Sequence, residues 1–421
     1  MDRGDGIIRW SPNSARNEFL TINVNFRIIK LFKAVGHAVP ERFDFQHISK
    51  HSDFQSVTAF DWSSRVAGLV ALGTKDGQVQ LLRIDDNSND CITLPLKLQR
   101  TCHAVAFNTT GLLAVGLDRV RNDQSLQVWD INQTLSKWDP SKKGWQSIGA
   151  FSQDPLYKLE PSSVITSVKF FEDQPQTLVS GVKNQSVRIH DLRGLISFPW
   201  LTGRLLIRFI DPVGSVVAYR TRCNNNLAIN HADTNYFASS ALDQPAVMIW
   251  DRRASSRQFA SKMYLDRVDA GEIPFGCALK ISRAIDPRNS SYIRSIRYCR
   301  DQPGLLAVLS SSGELQAFST QREYAGSLPE NDVDGGPELL QVARSHPLQY
   351  PYFHENFPYS HNERIVSFDW INLRSSFFQP RIIARRSNQR QDIILKPATI
   401  QHFAFDLINF SGPVRSCAYL L

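Results

Sequence analysis

Two histidines four residues apart, His47 and His51 in "HISKH", come nearest to metal-site spacing, because one helical turn would aim both imidazoles at a single ion. No glutamate follows in the H-E-x-x-H manner, no third ligand accompanies them, and the segment reads as a polar linker. Six cysteines, Cys91, Cys102, Cys223, Cys277, Cys299 and Cys417, lie scattered without a C-x-x-C pair, which argues against zinc knuckles and a disulfide framework. There is no G-x-x-x-x-G-K-[ST] phosphate loop, no G-x-S-x-G nucleophile elbow and no kinase signature set. The expectation is a protein that is not an enzyme, with no catalytic, cofactor-binding or metal-ligating residues.

Charge offers two further candidates. Arg381, Arg385, Arg386, Arg390 and Lys396 cluster in "RIIARRSNQRQDIILK", but no aromatics interleave to stack bases, so a solvated strand edge is expected rather than a nucleic-acid track. The net charge of +8 comes from 48 basic residues mixed among 40 acidic ones, which suits a protein-facing surface. The second candidate is "GLLAVGLDRVRNDQSLQVWDI", where Asp118, Arg119, Arg121 and Asp123 crowd a short turn. It is either a solvated tip, whose exposed ion pairs are worth about 0 to 1 kcal/mol each, or a partner-docking corner built on Arg119, Arg121 and Asp123.

The elements that hold this turn recur. "HAVAFNTTGLLAVGLDRVRNDQSLQVWDI", "VITSVKFFEDQPQTLVSGVKNQSVRIHDLRG" and "NNLAINHADTNYFASSALDQPAVMIWDRR" share a strand ending near an aromatic, a polar turn, a strand of small and branched residues, a second turn and a third strand. Weaker copies flank them. The pattern predicts an all-β chain, a WD40-type β-propeller of seven blades forming one domain over residues 1–421. Blades are expected at 7–32, 56–85, 102–131, 163–194, 224–253, 291–320 and 363–396, with long connections at 136–163, 194–223 and 322–362. Trp129, His190 and Trp250 are expected to pack between blades, and Asp130, Asp191 and Asp251 to follow them as the second residue of each Trp-Asp-like pair. Asp76, Asp118, Asn184 and Asp243 are expected to accept the hydrogen bonds that fix the preceding turns.

The chain of 421 residues, 42% of them hydrophobic, can bury a large core. No apolar run reaches the roughly 18 to 20 residues of a membrane span, since "LISFPWLTGRLLIRFI" is broken by Pro199, Gly203, Arg204 and Arg208. "MDRGDGIIRW" carries charge where a signal peptide has an apolar centre. A soluble protein of a reducing, intracellular compartment is expected.

The ordered set of unlike blades resembles the Mio (missing oocyte) family. "LLAVGLDRVRNDQSLQVWDI" is similar to that family's third blade, "VKNQSVRIHDLRG" and "NNLAINHADTNYFASSALDQPAVMIWDRR" to the next two, and "GLLAVLSSSGELQAF" with "RIVSFDW" to the last two. The resemblance implies a non-catalytic scaffold subunit of the SEA complex of fungi, GATOR in animals. That assembly promotes TOR complex signalling in response to amino acids at the vacuole or lysosome. The implied partners are other SEA/GATOR propeller-solenoid subunits and a small nucleoporin-type propeller protein, with no nucleic acid. The implied location is cytoplasmic and peripheral at the vacuolar or lysosomal membrane, reached through the complex. Full-length members continue into an α-solenoid and a zinc-binding RING-like region; these 421 residues hold neither helical repeats nor a Cys/His cluster. The stretch Leu195 to Tyr219 reads either as an insertion or as sequence not normally retained. A WD-repeat adaptor of a membrane coat, of autophagy or of ubiquitin-ligase substrate recognition is the alternative, its autophagy version lowered by the missing F-R-R-G. A propeller hydrolase with carboxylates in its funnel is the alternative from another class.

Overall fold

Runs such as LVALGT, LLAVGL and TLVSGV are buried along their whole length, so each must be covered on two faces. The architecture follows from that requirement. The structure, a computed structural model, describes residues 6–13, 15–23, 27–39, 42–52, 54–85, 87, 91–121, 123–136, 154–161, 163–194, 217–241, 243–254, 256–287, 291–323, 337–349, 364–371 and 381–386.

Antiparallel sheets succeed one another along the chain. Sheet 1 holds β1 (Ile7–Trp10), β2 (Glu18–Asn23), β3 (Ile28–Val39) and β4 (Arg42–His51). Sheet 2 holds β5 (Val57–Trp62), β6 (Leu69–Thr74), β7 (Val79–Arg83) and β8 (Cys91–Thr93). In sheet 3, β9 (Cys102–Phe107), β10 (Leu112–Leu117) and β11 (Gln124–Asp130) precede the short helix α1 (Asn132–Ser136) and the outer strand β12 (Tyr157–Pro161). Sheet 4 is β13 (Ile165–Phe170), β14 (Thr177–Val182), β15 (Ser186–Asp191) and β16 (Val217–Arg220). Sheet 5 is β17 (Asn226–Ile229), β18 (Tyr236–Ser240) and β19 (Val247–Asp251), then helix α2 (Lys262–Asp269) and β20 (Cys277–Ile281). Sheet 6 is β21 (Ile293–Tyr298), β22 (Leu305–Ser310), β23 (Leu315–Arg322) and β24 (Leu340–Gln349), and sheet 7 shows β25 (Ile365–Ile371) paired with β26 (Arg381–Arg386) among the described residues.

The first strands touch in sequence, β5 with β9, β9 with β13, β13 with β17, β17 with β21 and β21 with β25, and β25 returns to β1. This is an all-β propeller. An apolar cluster fills each junction between successive sheets: Leu20 and Val70 meet between sheets 1 and 2, Leu81 and Trp129 between 2 and 3, Leu126 and Ile165 between 3 and 4. Val187 and Trp250 meet between 4 and 5, Ile249 and Val308 between 5 and 6, and Leu309 and Phe368 between 6 and 7. The last cluster joins Ile371 and Ile383 of sheet 7 to Ile8, Trp10, Phe19 and Phe32 of sheet 1. Small residues let neighbouring chain approach: a Cβ added to Gly181 would stand 1.9 Å from the Asn224 carbonyl oxygen, just before the next sheet's first strand.

The seam between sheets 7 and 1 is also polar. The Ile8 N–H donates to Ser367 Oγ at 3.1 Å and the Trp10 N–H to Asp369 Oδ2 at 2.9 Å, bonds that tie residues 359 apart in sequence. Arg385 Nη1 donates to the Ile22 carbonyl at 3.1 Å, so this member of the expected solvated basic edge crosses the seam half-buried. The segments read as connections contain outer strands, since β12, β16 and β24 fall in 136–163, 194–223 and 322–362.

Phe19 is fully buried at the seam, stacked 5.2 Å from Phe32 and 6.0 Å from Trp10. Phe19→Ala is expected to destabilise by about 3 to 5 kcal/mol, whereas Leu98→Ala at an exposed position should stay within about 0.5 kcal/mol, as read by denaturant unfolding.

Candidate functional site

The charged turn is built on a bond that other sheets share. The first turn residue donates its N–H to the carbonyl just before the first strand: Lys75 to Ser56 at 3.0 Å, Asp118 to Thr101, Lys183 to Val164 and Ser311 to Tyr292 at 2.9 Å. Sheet 3 adds to this base. Val120 and Asp123 form an antiparallel bridge within the turn, and the Asp118 carboxylate lies 2.8 Å from His103 Nε2 on β9. Arg119 and Arg121 are exposed above it.

Beneath the turn sits Arg100, from the connection between β8 and β9. Its side chain is 3% exposed, and Nη2 reaches Asp123 Oδ2 at 2.7 Å and the Gln124 carbonyl at 2.6 Å, while Nη1 reaches the Asp118 carbonyl at 3.3 Å. Burial draws its guanidinium below the ordinary value, against the opposing charges of Asp123 and Asp118. Arg119 and Arg121 are exposed, whereas Asp123, placed in the same docking corner by the sequence, is the anchor, 10% exposed in its side chain and turned inward to Arg100. In the sequence Arg100, one arginine between strands, looks like a solvated loop residue. The sign that could have found it is Gly77, which has φ +82° and where an added Cβ would lie 2.3 Å from the Arg100 backbone.

Trp129 and Trp250 are fully buried at sheet junctions. Trp250 stacks on Tyr219 at 5.2 Å and donates from Nε1 to Ser239 Oγ at 2.8 Å, and that hydroxyl in turn donates to the Cys223 carbonyl. His190 occupies the same place in sheet 4 with Ser180 Oγ 2.9 Å from its Nε2 and Glu160 Oε1 at 3.5 Å; Glu160 is itself bound by Arg188. Burial, and secondarily the charge of Arg188, holds the His190 imidazole down at about 3, so it is neutral at physiological pH.

The aspartates that follow tie each third strand to the next turn. Asp130 Oδ1 accepts from Asn132 N at 2.9 Å, Asp191 from Arg193 N at 3.0 Å and Nη2 at 2.7 Å, and Asp251 from Arg253 N at 2.9 Å and Nη2 at 2.7 Å. Asp251 alone of the three is fully buried and also accepts the Glu338 N–H at 3.1 Å. The donor two residues on is visible in "HDLRG" and "WDRR". Of the turn residues, Asn184 contributes its left-handed backbone, φ +57°, and Thr74 rather than exposed Asp76 supplies the side-chain acceptor for Gln78 N at 2.9 Å. Asp243 is exposed in its turn.

His47 and His51 lie on β4, a strand and not a linker. His47 packs edge-on to Phe32 at 5.4 Å, and His51 is fully buried with neither ring nitrogen bonded among the described residues. No three His, Cys, Asp or Glu side chains gather as a metal set among the described residues. Burial pushes the Cys102 and Cys277 thiols up to about 12, far from a reactive thiolate. Arg390, Lys396 and most of the stretch Leu195 to Tyr219 lie outside the described residues, as do the side chains of Arg381 and Arg386. No described helix is long and apolar enough to cross a membrane.

Comparison with known proteins gives modest but concordant likenesses. No family model matches. An uncharacterized WD repeat-containing protein of Schizosaccharomyces pombe is 27% identical over 244 residues, 58% of this chain and 22% of that protein. SEH-associated protein 4 of Saccharomyces cerevisiae is 22% identical over 258 residues, 49% of this chain and 22% of its own length, and the GATOR2 complex protein MIOS of Dictyostelium discoideum is 22% identical over 281 residues, covering 58% and 23%. The matches support a Mio-family WD-repeat protein, over about half of this chain, and the chain spans about a fifth of those relatives' length. The crystal structure of Saccharomyces cerevisiae Sqt1 aligns with a TM-score of 0.48 at 10% identity, covering 89% of this chain and 80% of that one.

Arg100→Ala leaves the inward carboxylate of Asp123 unpaired and should cost about 3 to 5 kcal/mol, while Arg119→Ala with Arg121→Ala should stay within about 0.5 kcal/mol, as read by denaturant melts. Trp129→Ala should cost about 3 to 5 kcal/mol. His190 gives a pH signature. The unfolded imidazole binds a proton below about 6.5, whereas the folded one does so only near 3, so stability is complete above that window and falls through it as pH drops. His190→Gln should flatten this slope by on the order of 1 kcal/mol per pH unit between pH 6 and 4; an unchanged slope would show that the ring is solvated.

Proposed function

We propose that this chain is the propeller of a non-catalytic scaffold subunit of a SEA/GATOR2-type complex, its sheets closing as seven blades of one domain. What carries the reading is that SEH-associated protein 4 and a GATOR2 complex protein stand among its sequence relatives, together with a fold whose repeated positions are occupied by structural bonds. Trp250, His190, Asp130, Asp191 and Asp251, which have the chemistry to act, are bound within the fold, which leaves the outer faces and turns to meet other proteins. The subunit works beside other propeller-solenoid subunits and a small nucleoporin-type propeller protein, at the cytoplasmic face of the vacuolar or lysosomal membrane. There it promotes TOR complex signalling when amino acids are plentiful. The turn carrying Arg119 and Arg121 is a docking corner of this scaffold, because a charged tip pinned from below presents its two guanidiniums in one fixed arrangement.

Native purification of the full-length protein from its own cells is expected to recover SEA/GATOR subunits in stoichiometric amounts. Recovery with coat or ubiquitin-ligase components, and none of these, overturns the reading. Arg119→Glu with Arg121→Glu should lower recovery of one partner without moving the melting temperature, since rim charges govern association more than folding.

A further inference from the structure

The first strands place a ring of charge around the propeller axis. In every sheet one first-strand residue pairs with the third residue of the second strand: Arg9 with Leu20, Asp61 with Ala71, Ala106 with Ala114, Lys169 with Val179, Ala228 with Ala238, Arg297 with Ala307 and Asp369 with Ile383. Equal register puts these seven residues at one level. Around the ring they read Arg, Asp, Ala, Lys, Ala, Arg, Asp, and the five charged ones are half-buried. They reach past intervening sheets: Lys169 Nζ of sheet 4 lies 3.2 Å from Asp61 Oδ1 of sheet 2, across the edge where sheet 3 offers only Ala106.

The ring holds three cations against two carboxylates, and both carboxylates are engaged. Asp61 accepts from Lys169 and, at 2.8 Å, from the Phe107 N–H. Asp369 accepts from the Trp10 N–H at 2.9 Å and the Trp370 N–H at 3.1 Å, with Arg297 Nη1 more loosely at 3.7 Å. Arg9 is left with neutral oxygens, its Nη1 donating to the Ile8 carbonyl at 2.7 Å, Ser367 Oγ at 3.2 Å and the Phe368 carbonyl at 3.3 Å. Arg297 Nε, though buried, has no hydrogen-bond partner among the described residues. Desolvation first, and then the charge of Arg297, draws the Arg9 guanidinium down to about 9 against the attraction of Asp369 and Asp61, so it stays charged at neutral pH. At this level Arg297 keeps a buried Nε–H without a partner, Arg9 bonds only neutral oxygens, Lys169 adds an ammonium, and three cations stand against two carboxylates, which leaves net positive charge for an anion.

We propose that this axial ring binds a small tetrahedral oxyanion of the phosphate class, held between Arg9 and Arg297 with Lys169 approaching from sheet 4. Guanidinium forks match two oxygens of such an anion, and its charge relieves the repulsion between the arginines. This site is independent of the turn at Arg119 and of the scaffold reading.

The 421-residue chain titrated calorimetrically with inorganic phosphate, and separately with glycerol 2-phosphate, at fixed ionic strength against chloride tests the site. Saturable heat and a concentration-dependent rise in melting temperature are expected for phosphate and not for chloride. Binding of the ester as well would show that the axis admits a substituted phosphate, and binding of inorganic phosphate alone that it takes the free ion. Arg9→Gln and Arg297→Gln should each weaken binding about tenfold or more, and Arg119→Gln should leave it unchanged. If Arg9→Gln fails to fold, Lys169→Gln, whose ammonium is partly exposed, gives the same readout. Equal responses to phosphate and chloride, or equal affinity in the folded ring variants and the parent, overturn the proposal.

Discussion

Burial of every middle sheet on both faces is the constraint from which the rest of this molecule follows. The second strands β6, β10, β14, β18 and β22 are buried at every position, so no sheet can end the row by facing water with its core strand. A row of such sheets must return on itself, and the return joins β25 to β1. Aromatic stacking of Trp10, Phe19 and Phe32 shields that seam, while Ser367 and Asp369 satisfy N–H groups of β1 that an open edge would leave to water. A four-residue strand such as β1 is too short to persist alone; its place is fixed by residues some 359 positions away.

That constraint explains which parts of the fold were legible in the sequence. Second and third strands carry continuous apolar runs because both faces are covered, and they announce themselves as LLAVGL or VMIWD. The outer strands do not. β16 is "VAYR" and β12 is "YKLEP", with β16 alternating exposed and half-buried positions around the buried Tyr219, so no run of apolar residues separates them from polar connections. Strand β24 even contains Pro347, which has no N–H to donate and is tolerated at an edge because no further described strand needs one there. The sequence therefore reads as three-stranded units joined by long loops, when the loops hold the fourth strands.

The site was legible to a similar depth. Trp129, His190 and Trp250 are recognisable from their place at the end of an apolar run, since a buried junction needs bulk there whatever its partners. Turn chemistry was harder, because several side chains satisfy one geometry: Asn184 through its backbone, Thr74 through its hydroxyl, Asp118 through a pair with His103. Arg100 was invisible because its value lies in what is stacked above it, Asp123 from a turn 23 residues later. A lone charge in a sequence carries no mark of burial; its partner and its neighbours' packing supply it.

Propeller geometry also decides where variation can do work. At the junctions a changed side chain disturbs two sheets at once, which is why equivalent positions there differ so little in size among LVALGT, LLAVGL and LLAVLS. The turns and the axis are free of that restriction. At the turns the variation appears as length and charge, and in sheet 3 a buried ion pair stiffens the extra length instead of letting it float. Around the axis it appears as an unequal ring in which two of seven places are alanine, so closure demands no particular charge there. Positions that the fold leaves undetermined, yet that gather guanidiniums and the unpartnered buried Nε–H of Arg297, are the ones where chemistry beyond folding has to be sought.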